Sequence, residues 1–121
     1  MAIRQRLLDT PAERVSAELA KTVGDFCEPI DVIASAYVGL IEITRGFDRP
    51  EEHLGVGFEL SEPVAESEEG DRELRLVADR FYDQMPEEIL QGGCNFLEPG
   101  GVEAWEEKAR RVFSRGAERA T

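Results

Sequence analysis

The sequence PIDVIASAYVGLIEIT, residues 29–44, is the most apolar stretch of the chain, and its conformation sets the fold class. Its apolar residues recur three and four positions apart, which predicts a helix that begins near Pro29 and ends near Thr44. Because apolar residues also occupy the rest of the circumference, this helix is expected at the centre of the fold. A strand over residues 37–44 is the alternative, since β-branched residues are frequent there.

Two other segments have an amphipathic helical pattern. The first begins with a capping-box pattern at residues 10–13, with proline at the first helical position, and Gly24 ends it. The second begins at Asp71 and ends at Pro86, where a ring without an N–H interrupts the helix. The apolar stripes are Ala12, Val15, Ser16, Leu19, Ala20 and Val23 in the first segment, and Leu74, Val77, Ala78, Phe81, Tyr82 and Met85 in the second.

Both ends of the chain are also predicted to be helical. Ile3, Leu7 and Leu8 lie at helical spacing near the N-terminus. A short helix is expected over residues 86–91, and a last helix over residues 102–114, where acids come early and bases late, as the helix dipole favours. Together these segments predict a mostly α fold, a compact bundle of about five helices.

Residues 45–61 are the least helical part of the chain, because glycine and proline interrupt the periodicity. Apolar residues alternate with others from Val56 to Leu60, which is typical of a strand. This segment either lies extended on the helices or pairs with residues 37–44. The bundle therefore leaves room for one short β-hairpin or extended segment around residues 37–60, and the hairpin would make the class α+β. The length of the chain predicts one domain, residues 1–121.

The chain is strongly acidic, with a net charge of −12. Residues 51–100 hold nearly all of the excess, with fourteen acids and three bases. A field of this sign repels phosphate backbones and anionic membranes, so direct binding to nucleic acid or to a membrane is not expected. It favours a basic protein surface as the partner, including one on a nucleic-acid-binding protein. The alternative is that the acidity serves solubility or reflects the composition of a lineage.

The predicted location is the cytoplasm. The N-terminus has no apolar signal region, and the longest uncharged apolar run, Val32 to Ile41, is too short to span a bilayer. Cys27 and Cys94 would stay reduced in that compartment.

Cys94 and His53 are the candidates for chemistry. Cys94 follows two glycines in an expected loop, but a nucleophilic cysteine usually needs a base, and His53 is the one histidine of the chain. The commoner interpretation of Cys94 is a small buried hydrophobe. His53 lies among carboxylates, but one histidine does not make a standard zinc site, so neither a metal nor a cofactor is expected.

Three hypotheses follow. The first is a non-enzymatic interaction protein, an acidic inhibitor or an immunity or anti-defence type of protein, that binds a basic surface. The second is an assembly adaptor that forms homodimers or larger oligomers through a helix face. The third is a small enzyme or ligand-binding domain that uses Cys94 or His53. The first is preferred, without a catalytic residue and with a contact region at Glu62, Glu66, Glu68, Glu69, Asp71 and Glu73.

Overall fold

The computed structural model describes residues 3–61 and 68–115. Their fold is mixed α/β, with 36% strand and 38% helix, so the prediction of a mostly α bundle is wrong. The described elements are β1 Ile3–Leu8, α1 Ala17–Cys27, β2 Ile33–Arg45, β3 Glu51–Leu60, α2 Glu68–Gln84, α3 Glu87–Leu90, β4 Cys94–Leu97, α4 Glu103–Lys108 and β5 Arg110–Ser114, with a single 3₁₀ turn at Ala12–Arg14.

The five strands form one curled sheet. β2 and β3 make an antiparallel hairpin at its centre, and β4 lies parallel to β3 after a crossover through α2 and α3. β1 and β5 share the other edge of β2. β1 pairs with residues 40–45 of β2, and β5 pairs with residues 35–38. The free edges of the sheet are therefore formed by β4 on one side and by β1 with β5 on the other.

The expected central helix is a strand, β2, and the strand alternative is confirmed. β2 is apolar on both faces because both faces are covered. Ala36, Val38 and Leu40 belong to the core beneath the helices, while Tyr37 and Ile41 are buried on the opposite face. A strand buried on both faces has a nearly continuous apolar sequence. Such a sequence matches helical spacing as well as it matches a strand, which is why periodicity favoured the wrong element.

Helices α1, α2 and α3 cover one face of the sheet and form a helical layer. Phe58 of β3 lies at the centre of this core, with its ring centroid 5.8 Å from that of Phe26 in α1 and 5.9 Å from that of Phe81 in α2. α1 begins later than predicted. Its N-cap is Ser16, whose hydroxyl accepts a hydrogen bond from Leu19 N–H at 3.0 Å, so the cap expected at residues 10–13 is wrong.

The opposite face is covered at its centre by the short helix α4. Its Trp105 lies over Gly39 of β2 and Gly57 of β3, where a Cβ atom on either glycine would stand 2.9 Å from the indole. The predicted last helix is therefore split, because Ala109 is extended and the chain continues as β5 along the open edge of β2. The helix expected near the N-terminus is likewise a strand, β1.

Among the described residues, no helix has both the length and the apolar character needed to cross a bilayer.

Candidate functional site

α2 carries the described part of the predicted contact region. Glu68, Glu69 and Asp71 occupy its first turn, where a negative charge complements the helix dipole, and Glu73 follows. All four side chains are exposed. The other two predicted contact residues, Glu62 and Glu66, lie outside the described residues.

Among the described residues, these carboxylates are not engaged in internal ion pairs. Glu68 and Asp71 stand four residues before Arg72 and Arg75, and the four side chains surround a shallow depression of about 270 Å³. Within residues 3–61 and 68–115, however, no carboxylate of α2 forms a salt bridge. The salt bridges there join Arg6 to Glu42, Lys21 to Asp25 and Arg45 to Glu51, and the His53 ring also contacts Glu51.

The acidic surface extends beyond the predicted region. We define the acidic helical face as the exposed carboxylates of α2 and α3, which are Glu68, Glu69, Asp71, Glu73, Asp79, Asp83, Glu87 and Glu88. Arg72, Arg75 and Arg80 are the bases among them. Two apolar side chains, Leu76 and Tyr82, are 59% and 51% exposed on the same helix. This face therefore combines excess negative charge with apolar area that a partner could cover.

Basic residues lie on the sheet edge that β1 and β5 form. β1 and β5 contribute Arg4, Arg6, Arg110 and Arg111 and contain no acidic residue. α3 packs on β3, and the Tyr82 hydroxyl of α2 accepts a hydrogen bond from Cys94 N–H of β4 at 3.2 Å. Because β3 and β4 lie on one side of β2 and the basic edge lies on the other, α2 and α3 are distant from the basic edge. The basic edge is not free of acid, because Arg6 pairs with Glu42 of β2 and the neighbouring helix α4 carries three glutamates.

The structure separates Cys94 from His53. Cys94 pairs with Val56 and packs against the core beneath the helical layer, whereas His53 pairs with Ile41, whose side chain lies on the opposite face. Burial raises the pKa of the Cys94 thiol to about 12. A thiol with this pKa is protonated at neutral pH, while the nucleophile in cysteine chemistry is the thiolate. The geometry therefore does not form a Cys–His pair.

His53 belongs to a small group of hydrogen-bonded polar side chains at the turn of the β2–β3 hairpin. Its Nε2 lies 3.4 Å from Glu51 Oε2, and Arg45 donates to the same carboxylate at 2.8 Å. These hydrogen bonds, from His53 first and then from Arg45, lower the pKa of Glu51. In the part of the chain that the structure describes, no three His, Cys, Asp or Glu side chains are grouped closely enough to hold a metal ion.

The sequence gives no direct signal for a groove that the structure places between α1 and the junction of α2 with α3. Its volume is about 320 Å³. Leu19 and Met85, 2% and 8% exposed, form its apolar floor with Pro86. Glu18 and Glu88 stand beside this floor and are exposed, and Thr22 lies on the α1 side. The nearest sequence signal is the break of the second helix at Pro86, which opens the space.

Comparison with models of protein families, with curated proteins and with solved structures finds no match to this chain.

Proposed function

We propose that this protein is a non-enzymatic interaction protein that binds a basic surface on a partner protein through the acidic helical face. The observation that carries the proposal is the exposure of Glu68, Glu69, Asp71 and Glu73, none of which is engaged in a salt bridge within the described residues. An inhibitor, or an immunity or anti-defence type of protein, uses a surface of this kind to cover a basic site.

Charge complementarity on this scale speeds the encounter of two proteins and sets their relative orientation. Leu76 and Tyr82 supply the apolar area that a stable interface needs at its centre. The cytoplasm is the proposed location, in keeping with the free thiols of Cys27 and Cys94.

The test is capture of the partner by the immobilised full chain from a lysate of its own cells, at ~50 mM and ~500 mM salt. The wild type should enrich a basic protein at low salt and release it at high salt. The variant Glu68→Gln, Glu69→Gln, Asp71→Asn, Glu73→Gln should lose that protein, because the steering field and the contact charges are removed together.

The matched control carries Asp48→Asn, Glu52→Gln, Glu103→Gln and Glu107→Gln, the same change in net charge at exposed positions away from α2 and α3. It should capture the partner as the wild type does. Equal capture by the two neutralised variants, or capture that persists at high salt, would contradict the proposal.

A further inference from the structure

We propose that the groove between α1 and α3 is the seat for a single arginine or lysine side chain of the basic partner. This inference rests on the proposed function and adds the chemistry of the anchor residue. The groove is defined by its floor, Leu19, Met85 and Pro86, and by Glu18 and Glu88 beside it.

The size of the groove suits one long side chain. Small-molecule sites usually enclose about 300–1,000 Å³, and this groove, at about 320 Å³, lies at the lower end of that range. It is open to solvent along α1 and α3, since Glu18, Thr22 and Glu88 are at least partly exposed. A side chain that projects from a partner can therefore enter it without displacing any helix.

The chemistry of the groove matches the two ends of a basic side chain. Arginine and lysine carry an apolar stem that packs on apolar surface while the charged group remains in a polar environment. Leu19 and Met85 offer that apolar surface, and the carboxylates of Glu18 and Glu88 offer acceptors for the charged group. Neither carboxylate forms a salt bridge within residues 3–61 and 68–115. A guanidinium can bind a carboxylate through two parallel hydrogen bonds, which favours arginine over lysine.

Glu18 and Glu88 also lie in the first turns of α1 and α3, where a carboxylate complements the helix dipole. Such a role explains the charges, and the hydrophobic core, to which Leu19 and Met85 belong, explains the apolar floor. The two roles of these carboxylates can be distinguished. A carboxylate that complements a helix dipole raises the stability of the fold, whereas one that contacts a bound cation raises the affinity for that cation.

The position of the groove joins it to the acidic helical face. Gln84, the last residue of α2, lines the groove, and Glu88 belongs to both the groove and the face. A basic partner attracted by α2 would therefore reach the groove without crossing a basic surface. The acidic helical face supplies the electrostatic attraction, and the groove supplies the specific contact with one basic side chain.

The test is an NMR titration of the full chain with N-acetyl-arginine amide, observed at the methyl groups of Leu19 and Met85. N-acetyl-norleucine amide, which has an apolar stem and no charge, is the comparison probe. The arginine probe should give saturable shifts at both methyl groups and bind at least tenfold more tightly than the norleucine probe.

Two variants test the groove in independent ways. Thr22→Trp should fill it, and Glu18→Gln with Glu88→Gln should remove its charges, and each should weaken binding of the arginine probe at least tenfold. Thermal unfolding of each variant verifies that it is folded. Glu52→Gln with Glu107→Gln, the same change in charge at exposed positions away from α2 and α3, should leave probe binding unaltered.

Methyl signals that do not move, or shifts that the groove variants leave unchanged, would overturn the inference. The titration uses no partner, so this failure is separate from that of the proposed function. The proposed function fails when neutralisation of α2 leaves capture of the basic protein intact.

Discussion

Trp105 is the residue on which the packing of the second sheet face depends. It lies on Gly39 and Gly57, two neighbouring positions in the central strands where the absence of a side chain lets the indole approach the backbone. A Cβ atom at Gly57 would stand 2.9 Å from Trp105 Cδ2. Because the indole is rigid, it can relieve this contact only by moving with α4.

Gly57→Ala should therefore lower the free energy of unfolding by about 1–3 kcal/mol, the usual cost of overpacking. Urea denaturation measures the change. Gly24→Ala is the control, because its added Cβ would lie 3.5 Å from Val112 O, an ordinary contact, and alanine favours a helix. Equal stability of Gly57→Ala and the wild type would show that α4 and its tryptophan contribute little to the fold.

At the scale of elements, Thr10 joins two strands that share one edge of β2. Leu40 N–H donates to Thr10 Oγ1 at 2.8 Å, at the last residue pair of β1 with β2 and two residues from the nearest pair of β5 with β2. Thr10 N–H in turn donates to Lys108 O at 2.8 Å. A threonine that the capping-box pattern assigned to a helix start thus completes the hydrogen bonding of a strand.

Thr10→Val leaves the buried Leu40 N–H without its acceptor, so it should lower the free energy of unfolding by about 1–3 kcal/mol. Thr10→Ser keeps the hydroxyl and should lose less. Chemical denaturation gives the free energies, and hydrogen exchange at Leu40 N–H reports the site itself. If the valine and serine variants were equally stable, the hydroxyl would have no role in the strand junction.

Some elements of the fold can be predicted from the local sequence, and others cannot. The sequence predicts α2 because its stripe of Val77, Phe81 and their neighbours is buried on one side only. It also predicts the break at Pro86 and the change of direction at residues 92–93, where Gly93 has a φ of +82°. It does not predict β2 and β5, since hydrogen bonds to distant strands determine them and local periodicity does not record such partners.

At the scale of the whole molecule, Arg115 ties the last described residues to α1 and β2. Its guanidinium donates to the carbonyl oxygens of Cys27, Glu28 and Ile30, at 2.9, 3.1 and 3.1 Å, and its Nε donates to Ile33 O at 3.1 Å. These carbonyls follow the end of α1, where the helix leaves acceptors without intrahelical donors. The arginine therefore connects the helical layer to the edge of the sheet.

Arg115→Ala should lower the free energy of unfolding by about 1.5–3 kcal/mol, the range for hydrogen bonds to a charged group. Arg115→Lys should restore only a part, since an ammonium lacks the planar fork of the guanidinium. Arg111→Ala, an exposed position in β5, is the control and should change stability little. Thermal unfolding compares the three variants, and an alanine variant as stable as the wild type would contradict this role.

The net charge of the molecule can be predicted from the sequence, because it depends only on which residues are present. The excess acid of residues 51–100 follows from composition, and the proposal of a basic partner starts from that excess. The positions of the charged residues relative to one another in space could not be predicted from the sequence. The basic edge of β1 and β5 combines residues 4–6 with residues 110–111, which the chain brings together only by pairing both strands with β2.

Local chemistry in the chain thus accounts for the acidity, the amphipathic α2 and the breaks at proline and glycine. Tertiary contacts account for the central strand, the seat of Trp105 and the groove between α1 and α3. The physical reason is the range of the forces involved. A helix closes its hydrogen bonds within four residues, whereas a strand or a groove exists only when distant segments meet, and their meeting depends on how the whole chain buries its apolar surface.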